Sequence, residues 1–137
     1  MAFFTMEDLK TGNPLIDEQH RQLISIVNDL LSACRQRRAE QFESGLAFLR
    51  YYTAKHFFDE EVLQIQYGYP GYAAHRVRHD EFKTTIRNFT LELKENGGNL
   101  EDRVASYIGE WFVNHILTED IVLARHIREG AKIAISA

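Results

Sequence analysis

Five of the six histidines fall in line with apolar residues that recur at three- and four-residue steps: His20, His56, His75, His79 and His115. Glu60 sits in the same kind of position, where a helix facing a core would carry Leu or Ile. A carboxylate buried without a partner costs several kcal/mol, so Glu60 on an apolar seam requires a strong one. A metal ion is the obvious partner, and neutral imidazole is a common metal ligand. His56 and Glu60, like His75 and His79, are four residues apart, which places each pair on one helix face about 5 to 6 Å apart, close enough to converge on one ion or a close pair. A lone buried histidine is usually a hydrogen-bonded core residue; five on apolar seams beside a carboxylate point to a shared metal site.

The segments that carry these residues are helical by period. Pro14, Pro70 and the Gly97, Gly98 pair punctuate the chain, and no strand-like alternation competes between them. The first segment, about 16 to 37, aligns Ile16, His20, Leu23, Val27, Leu30 and Cys34; the second, about 40 to 66, aligns Phe42, Leu46, Leu49, Thr53, His56, Glu60 and Leu63. The third aligns His75, His79, Phe82, Ile86, Phe89 and Leu93, and the fourth, opening near Leu100, aligns Val104, Ile108, Trp111, His115 and then Val122. Short joins force sequential helices to be antiparallel neighbours, so the predicted fold is all-α: an antiparallel up-down-up-down four-helix bundle over about 16 to 130, with an N-terminal arm over residues 1 to 15 holding Phe3, Phe4 and Met6. In that topology the start of the first helix, the end of the second, the start of the third and the second half of the fourth share one end. At about 1.5 Å per residue, the five seam histidines and Glu60 then fall in one slab.

The whole chain, 1 to 137, is the size of one domain, with 45% apolar and 26% charged residues. A net charge of −4 gives no footprint for nucleic acid. The single cysteine, Cys34, excludes an intramolecular disulfide and suits a reducing compartment. The start MAFFTMEDLK lacks the features of a secretory signal, and no apolar run approaches the roughly 18 to 20 residues needed to span a bilayer. A cytoplasmic protein without membrane insertion is expected, which makes the glycosylation-like triplet Asn88, Phe89, Thr90 a chance match. Largely charged outward faces on the second and third segments predict a monomer.

IDEQHRQL at 16 to 23, HFFDEE at 56 to 61, YGYP at 67 to 70, HRVRH at 75 to 79 and HILTED at 115 to 120 occur in order. Each is weak alone; together they make the chain resemble the bacteriohemerythrins, single-domain members of the hemerythrin family, over essentially its whole length. The resemblance implies a non-haem di-iron centre of two iron ions, Fe2+ or Fe3+, with an oxo or hydroxo bridge. Its implied ligands are His75, His79 and His115 on one iron, His20 and His56 on the other, and Glu60 and Asp120 bridging both. The second iron then has one ligand fewer, and O2 is expected to bind there reversibly, as in an oxygen carrier, store or delivery protein and not an enzyme. Five imidazoles with only two carboxylates favour the ferrous pair more than the carboxylate-rich sets of ferritin-like oxidases do. Phe57, Phe82, Phe112 and Ile116 are expected to line a dry O2 pocket.

Two places strain the pattern. On an ideal helix Asp120 lies about 140° from His115 while Glu119 lies about 40° away, so geometry alone selects Glu119 and the family pattern selects Asp120. A π-bulge or a local bend between His115 and Asp120 would reconcile them; Asp120 is taken as the ligand and such a distortion is predicted. Gln64 stands where relatives often carry Met, four residues past Glu60, and is either a hydrogen-bond donor behind the ligands or solvent-facing. His126 matches no implied ligand, and Asp59 and Glu61 are expected in solvent. The competing functions are an oxygen or redox sensor module, a di-iron enzyme handling peroxide or nitric oxide, and a zinc hydrolase. Seven ligands suit a bridged pair better than tetrahedral zinc.

Overall fold

The computed structural model describes residues 7–96 and 100–136, with side chains described for 7–95 and 100–130. α1 (Pro14–Arg35), α2 (Ala39–Gln66) and α3 (Tyr72–Asn96) are followed by a fourth rod made of α4 (Glu101–His115), a π-helical turn (Ile116–Asp120) and α5 (Ile121–Ser136). α1 packs on α2 and α4, and α3 packs on the same two, which is the ring of neighbours of an antiparallel four-helix bundle. No described helix is long and apolar enough to cross a membrane.

Local chemistry sets the ends of these rods. Asn13 caps α1 by accepting from the Ile16 amide at 3.0 Å, and Pro14 follows at the first helical position, where its missing N–H costs nothing. α1 therefore starts two residues before the expected 16, and the arm is shorter than 1 to 15. Thr11 and Gly12 bond the Asp17 carboxylate, and Leu9 packs with Ile24 and Ile116, so the described part of the arm does lie on the bundle. Phe3, Phe4 and Met6 lie outside the described residues. α2 ends in a Schellman turn: Gly68 takes φ +60°, its amide bonds Ile65 O at 3.2 Å, and the Tyr69 amide bonds Gln64 O at 2.8 Å. Gly68, rather than Pro70, thus stops the helix. A Cβ at Gly71 would meet the Tyr69 ring at 2.7 Å, so a side chain there would have to displace that ring. Cys34 is a helix residue as expected; burial and the Asp102 carboxylate, 2.7 Å from Sγ, push its thiol up to about 12.

Apolar side chains fill the bundle on both sides of the slab predicted to hold the metal. A large cluster, including Leu23, Leu30, Phe42, Leu49, Phe82, Ile108 and Phe112, occupies the middle and far end. A small one, Ile16, Leu123, Ala124 and Ile127 with Leu63, Tyr67 and Tyr69 against it, closes the near end. Val122, expected on the seam, is instead 44% exposed, while Leu123 is 0% exposed. The π turn inserts one residue ahead of them and moves the seam along by one.

Candidate metal centre

The slab between the apolar clusters collects seven buried ionisable side chains from all four rods. α1 supplies His20, α2 His56 and Glu60, α3 His75 and His79, and the fourth rod His115 and Asp120. Their ligand atoms fall into two sets, each with its atoms within 4.8 Å of one another: Glu60, His75, His79, His115 and Asp120 in one, and His20, His56, Glu60 and Asp120 in the other. The two carboxylates belong to both sets, and each divides its oxygens between them. Glu60 Oε1 lies 3.0 Å from His75 Nε2 and 3.3 Å from His79 Nε2, whereas Oε2 lies 3.1 Å from His56 Nε2. Asp120 Oδ1 lies 3.0 Å from His75 Nε2 and 3.1 Å from His115 Nε2, whereas Oδ2 lies 2.8 Å from His20 Nε2.

Asp120 reaches this position through the π turn. The Ile121 amide donates to Ile116 O, five residues back, so the wide turn brings residues five apart onto one side. The predicted distortion is present. Glu119 points elsewhere, half-buried with its carboxylate 4.0 Å from Arg78 Nε.

Behind the converging atoms, two histidines have their tautomers set by hydrogen bonds. Gln19 Oε1 accepts from His56 Nδ1 at 2.6 Å, and Gln19 Nε2 donates to Asp59 at 2.8 Å, which also pairs with Lys55. Glu61 Oε2 accepts from His79 Nδ1 at 3.1 Å. Because an amide or carboxylate oxygen only accepts, both rings carry a proton on Nδ1, which leaves the inward-facing Nε2 as the nitrogen a metal could take. Asp59 and Glu61 are thus not merely solvated, contrary to expectation. Gln19 and Glu61 were missed because their partners lie on other helices; nothing in a single sequence marks them except adjacency to a ligand. Trp111, expected as ordinary core, stacks on His115 at 4.4 Å and 13°.

The remaining expected residues surround the slab. Phe57 stacks on His79 at 3.9 Å and 6°, while Phe82 packs against Phe57, Trp111 and Phe112. Ile116 is buried with Leu9 and Ile24. Gln64 is fully buried with neither amide atom bonded, so the solvent-facing alternative fails. His126 stays out of the cluster; its Nε2 donates to Tyr67 O at 2.9 Å and holds the α2–α3 turn.

Electrostatics and directionality decide what such a cluster can hold. Burial would lower the pKa of His20 and His75, yet the Asp120 and Glu60 carboxylates outweigh it and raise them to about 9 and about 10. Burial would raise both carboxyls, and Asp120 is raised further by Glu60, yet the surrounding imidazoles hold both acids below their ordinary range. Despite distances near 3 Å, His20 Nε2, His56 Nε2, both Glu60 oxygens and both Asp120 oxygens have no partner in hydrogen-bond direction. Their ligand atoms crowd together within the two sets instead of pairing off. Buried donors crowded together in this way fit cations, and this mixed nitrogen and oxygen set suits a pair of first-row divalent ions.

The model of the hemerythrin HHE cation-binding domain matches residues 11–127. The chain belongs to the hemerythrin family. Among its relatives is a bacteriohemerythrin of Stenotrophomonas maltophilia (strain R551-3), 30% identical over 122 residues, covering 89% of this chain and 79% of that one. A myohemerythrin of Sipunculus nudus is 32% identical over 114 residues, covering 83% of this chain and 84% of its own. The crystal structure of a wild-type hemerythrin superposes with a TM-score of 0.83 at 22% identity over 93% of this chain and 98% of that one, a likeness of fold. Hemerythrin membership agrees with a buried His, Glu and Asp cluster suited to metal.

Proposed function

We propose that this chain is a single hemerythrin-like domain that binds O2 reversibly at a pair of iron ions, acting in the cytoplasm as a carrier or store rather than as an enzyme. The observation that carries the reading is the unequal division of donors, five in one set and four in the other, with two carboxylates common to both. His75, His79 and His115 would hold one ion, His20 and His56 the second, and Glu60 and Asp120 both. Iron there would supply the electrons and the vacant coordination position that reversible O2 binding needs.

The rest of the work falls to the protein. Gln19 and Glu61 orient His56 and His79 through Nδ1, keeping their Nε2 atoms directed inward. Phe57 and Trp111 lie flat against His79 and His115 and restrain the rings from the side. Phe82, Phe112 and Ile116 add an apolar wall that excludes water and the protons it carries. The test is to load the protein with Fe2+ without oxygen, count two ions per chain, then admit and remove O2 while recording the visible spectrum. An absorption band that appears with O2 and vanishes on its removal is expected. Irreversible oxidation on first exposure, or binding of a single ion, would overturn the reading.

A further inference from the structure

The bundle leaves one helix face uncovered. Of the ten large hydrophobic side chains exposed among the described residues, five lie on α2: Phe48 (54%), Tyr51 (69%), Phe58 (68%), Val62 (45%) and Ile65 (64%). The other five are spread over four other stretches: Leu15, Val77, Leu91, Leu117 and Val122. On α2 they fall in line with Lys55 at steps of three, four, three, four and three residues, a seam of the kind that packs helix on helix. The opposite face of the same helix carries Phe42, Leu46, Leu49, Phe57 and the ligands. α2 is thus apolar on two sides, and among the described residues only one of them is buried. The largely charged outward face expected of this helix is not what the structure has.

We infer that this face joins two copies of the chain as an antiparallel dimer, α2 against α2. The stripe is self-complementary in that direction. Pairing Phe48 with the partner's Ile65 also sets Tyr51 on the partner's Val62 and Lys55 on the partner's Phe58, and the two-fold axis repeats each pair. Lys55 selects the direction: parallel helices in register would set Lys55 against its own copy, whereas antiparallel helices lay its aliphatic stem and ammonium over an aromatic ring. Its charge keeps a partner at the edge, since Nζ lies 2.9 Å from Asp59. Ala47 and Ala54, both exposed beside the stripe, let the two backbones approach closely. The area suffices: three aromatic side chains more than half exposed, plus Val62 and Ile65, offer roughly 500 Å² per copy. Two copies bury about 1,000 Å² before Lys55 and the flanks are counted, the level a specific interface needs.

Sedimentation of the full chain over a concentration series should show a reversible monomer–dimer equilibrium. Phe58→Asp should weaken it by about 30-fold or more without loss of helix content, and Lys55→Leu should tighten it. Direction is read by cross-linking in a Cys34→Ser background. Phe48→Cys mixed with Ile65→Cys should form a disulfide-linked pair, while neither alone should. A chain that stays monomeric up to about 1 mM would overturn the inference and leave the face to a different partner. So would a dimer that Phe58→Asp leaves intact, or Phe48→Cys cross-linking efficiently to itself.

Discussion

Removing the acceptor behind His79 is the sharpest test of how this centre is held. Glu61→Leu takes away the oxygen 3.1 Å from His79 Nδ1 and leaves that N–H without its partner, free to shift its proton to Nε2 and lose the inward lone pair. A hydrogen bond to a charged acceptor is worth about 1.5 to 3 kcal/mol, which converts to roughly 10- to 100-fold in affinity for the ion proposed to bind His75, His79 and His115. Glu61→Gln keeps an accepting oxygen and should cost less than about 10-fold. On the other side, Gln19→Leu removes the acceptor 2.6 Å from His56 Nδ1 and should weaken binding of the ion proposed for His20 and His56 by a similar factor. Anaerobic competition of each variant against a chromophoric chelator resolves the two binding steps, with circular dichroism confirming the fold. The reasoning fails if Glu61→Leu binds both ions as the parent does. It fails equally if Glu61→Leu and Gln19→Leu weaken both steps alike, since that pattern reports general destabilisation.

Asp120→Ala should abolish binding of at least one ion, whereas Glu119→Ala, whose carboxylate lies 4.0 Å from Arg78 Nε away from the cluster, should leave two ions per chain in metal analysis. Metal loading should release protons at pH 7, because His20 and His75, raised to about 9 and about 10 without metal, must lose them; apparent affinity then climbs with pH and levels off above that range, as followed by an indicator dye in weak buffer. The same shifts set the stability of the metal-free protein. The histidine contribution is full below 6.5 and fades as pH rises through about 9 to 10, whereas Glu60 and Asp120 contribute above their ordinary 4.5 and 3.8 and lose it as pH falls. Thermal melts should therefore be highest between those limits. Gln64→Leu removes a buried amide with no partner and should stabilise the metal-free protein by about 1 to 3 kcal/mol, seen as a higher Tm. If Gln64 also serves the site, the O2-dependent visible band shifts in the iron-loaded variant; an unshifted band assigns it to packing alone.

The helices, their order and the depth of the polar slab were legible because helical period is a local property. Polar residues at seam positions, such as His56 with Glu60 and His75 with His79, can be read from spacing alone. Even a distortion between His115 and Asp120 was foreseeable, since an ideal helix cannot turn both to one side, though only the structure shows that it is a π turn rather than a bend. Its consequence downstream was not carried through, and so Val122 was expected where Leu123 is buried.

What spacing could not supply were contacts that depend on how one rod is rotated against another. Gln19 and Glu61 look like ordinary polar neighbours of ligands until α1 is set against α2, and α2 against α3. Trp111 fits the core pattern equally well whether or not it lies flat on His115. The outer face of α2 misled for the same reason: a helix apolar on two sides has no single seam, and only packing shows which side the bundle covers. Residue type and period along the chain thus fix which side chains lie at one level, while rotation and approach between helices fix which of them touch.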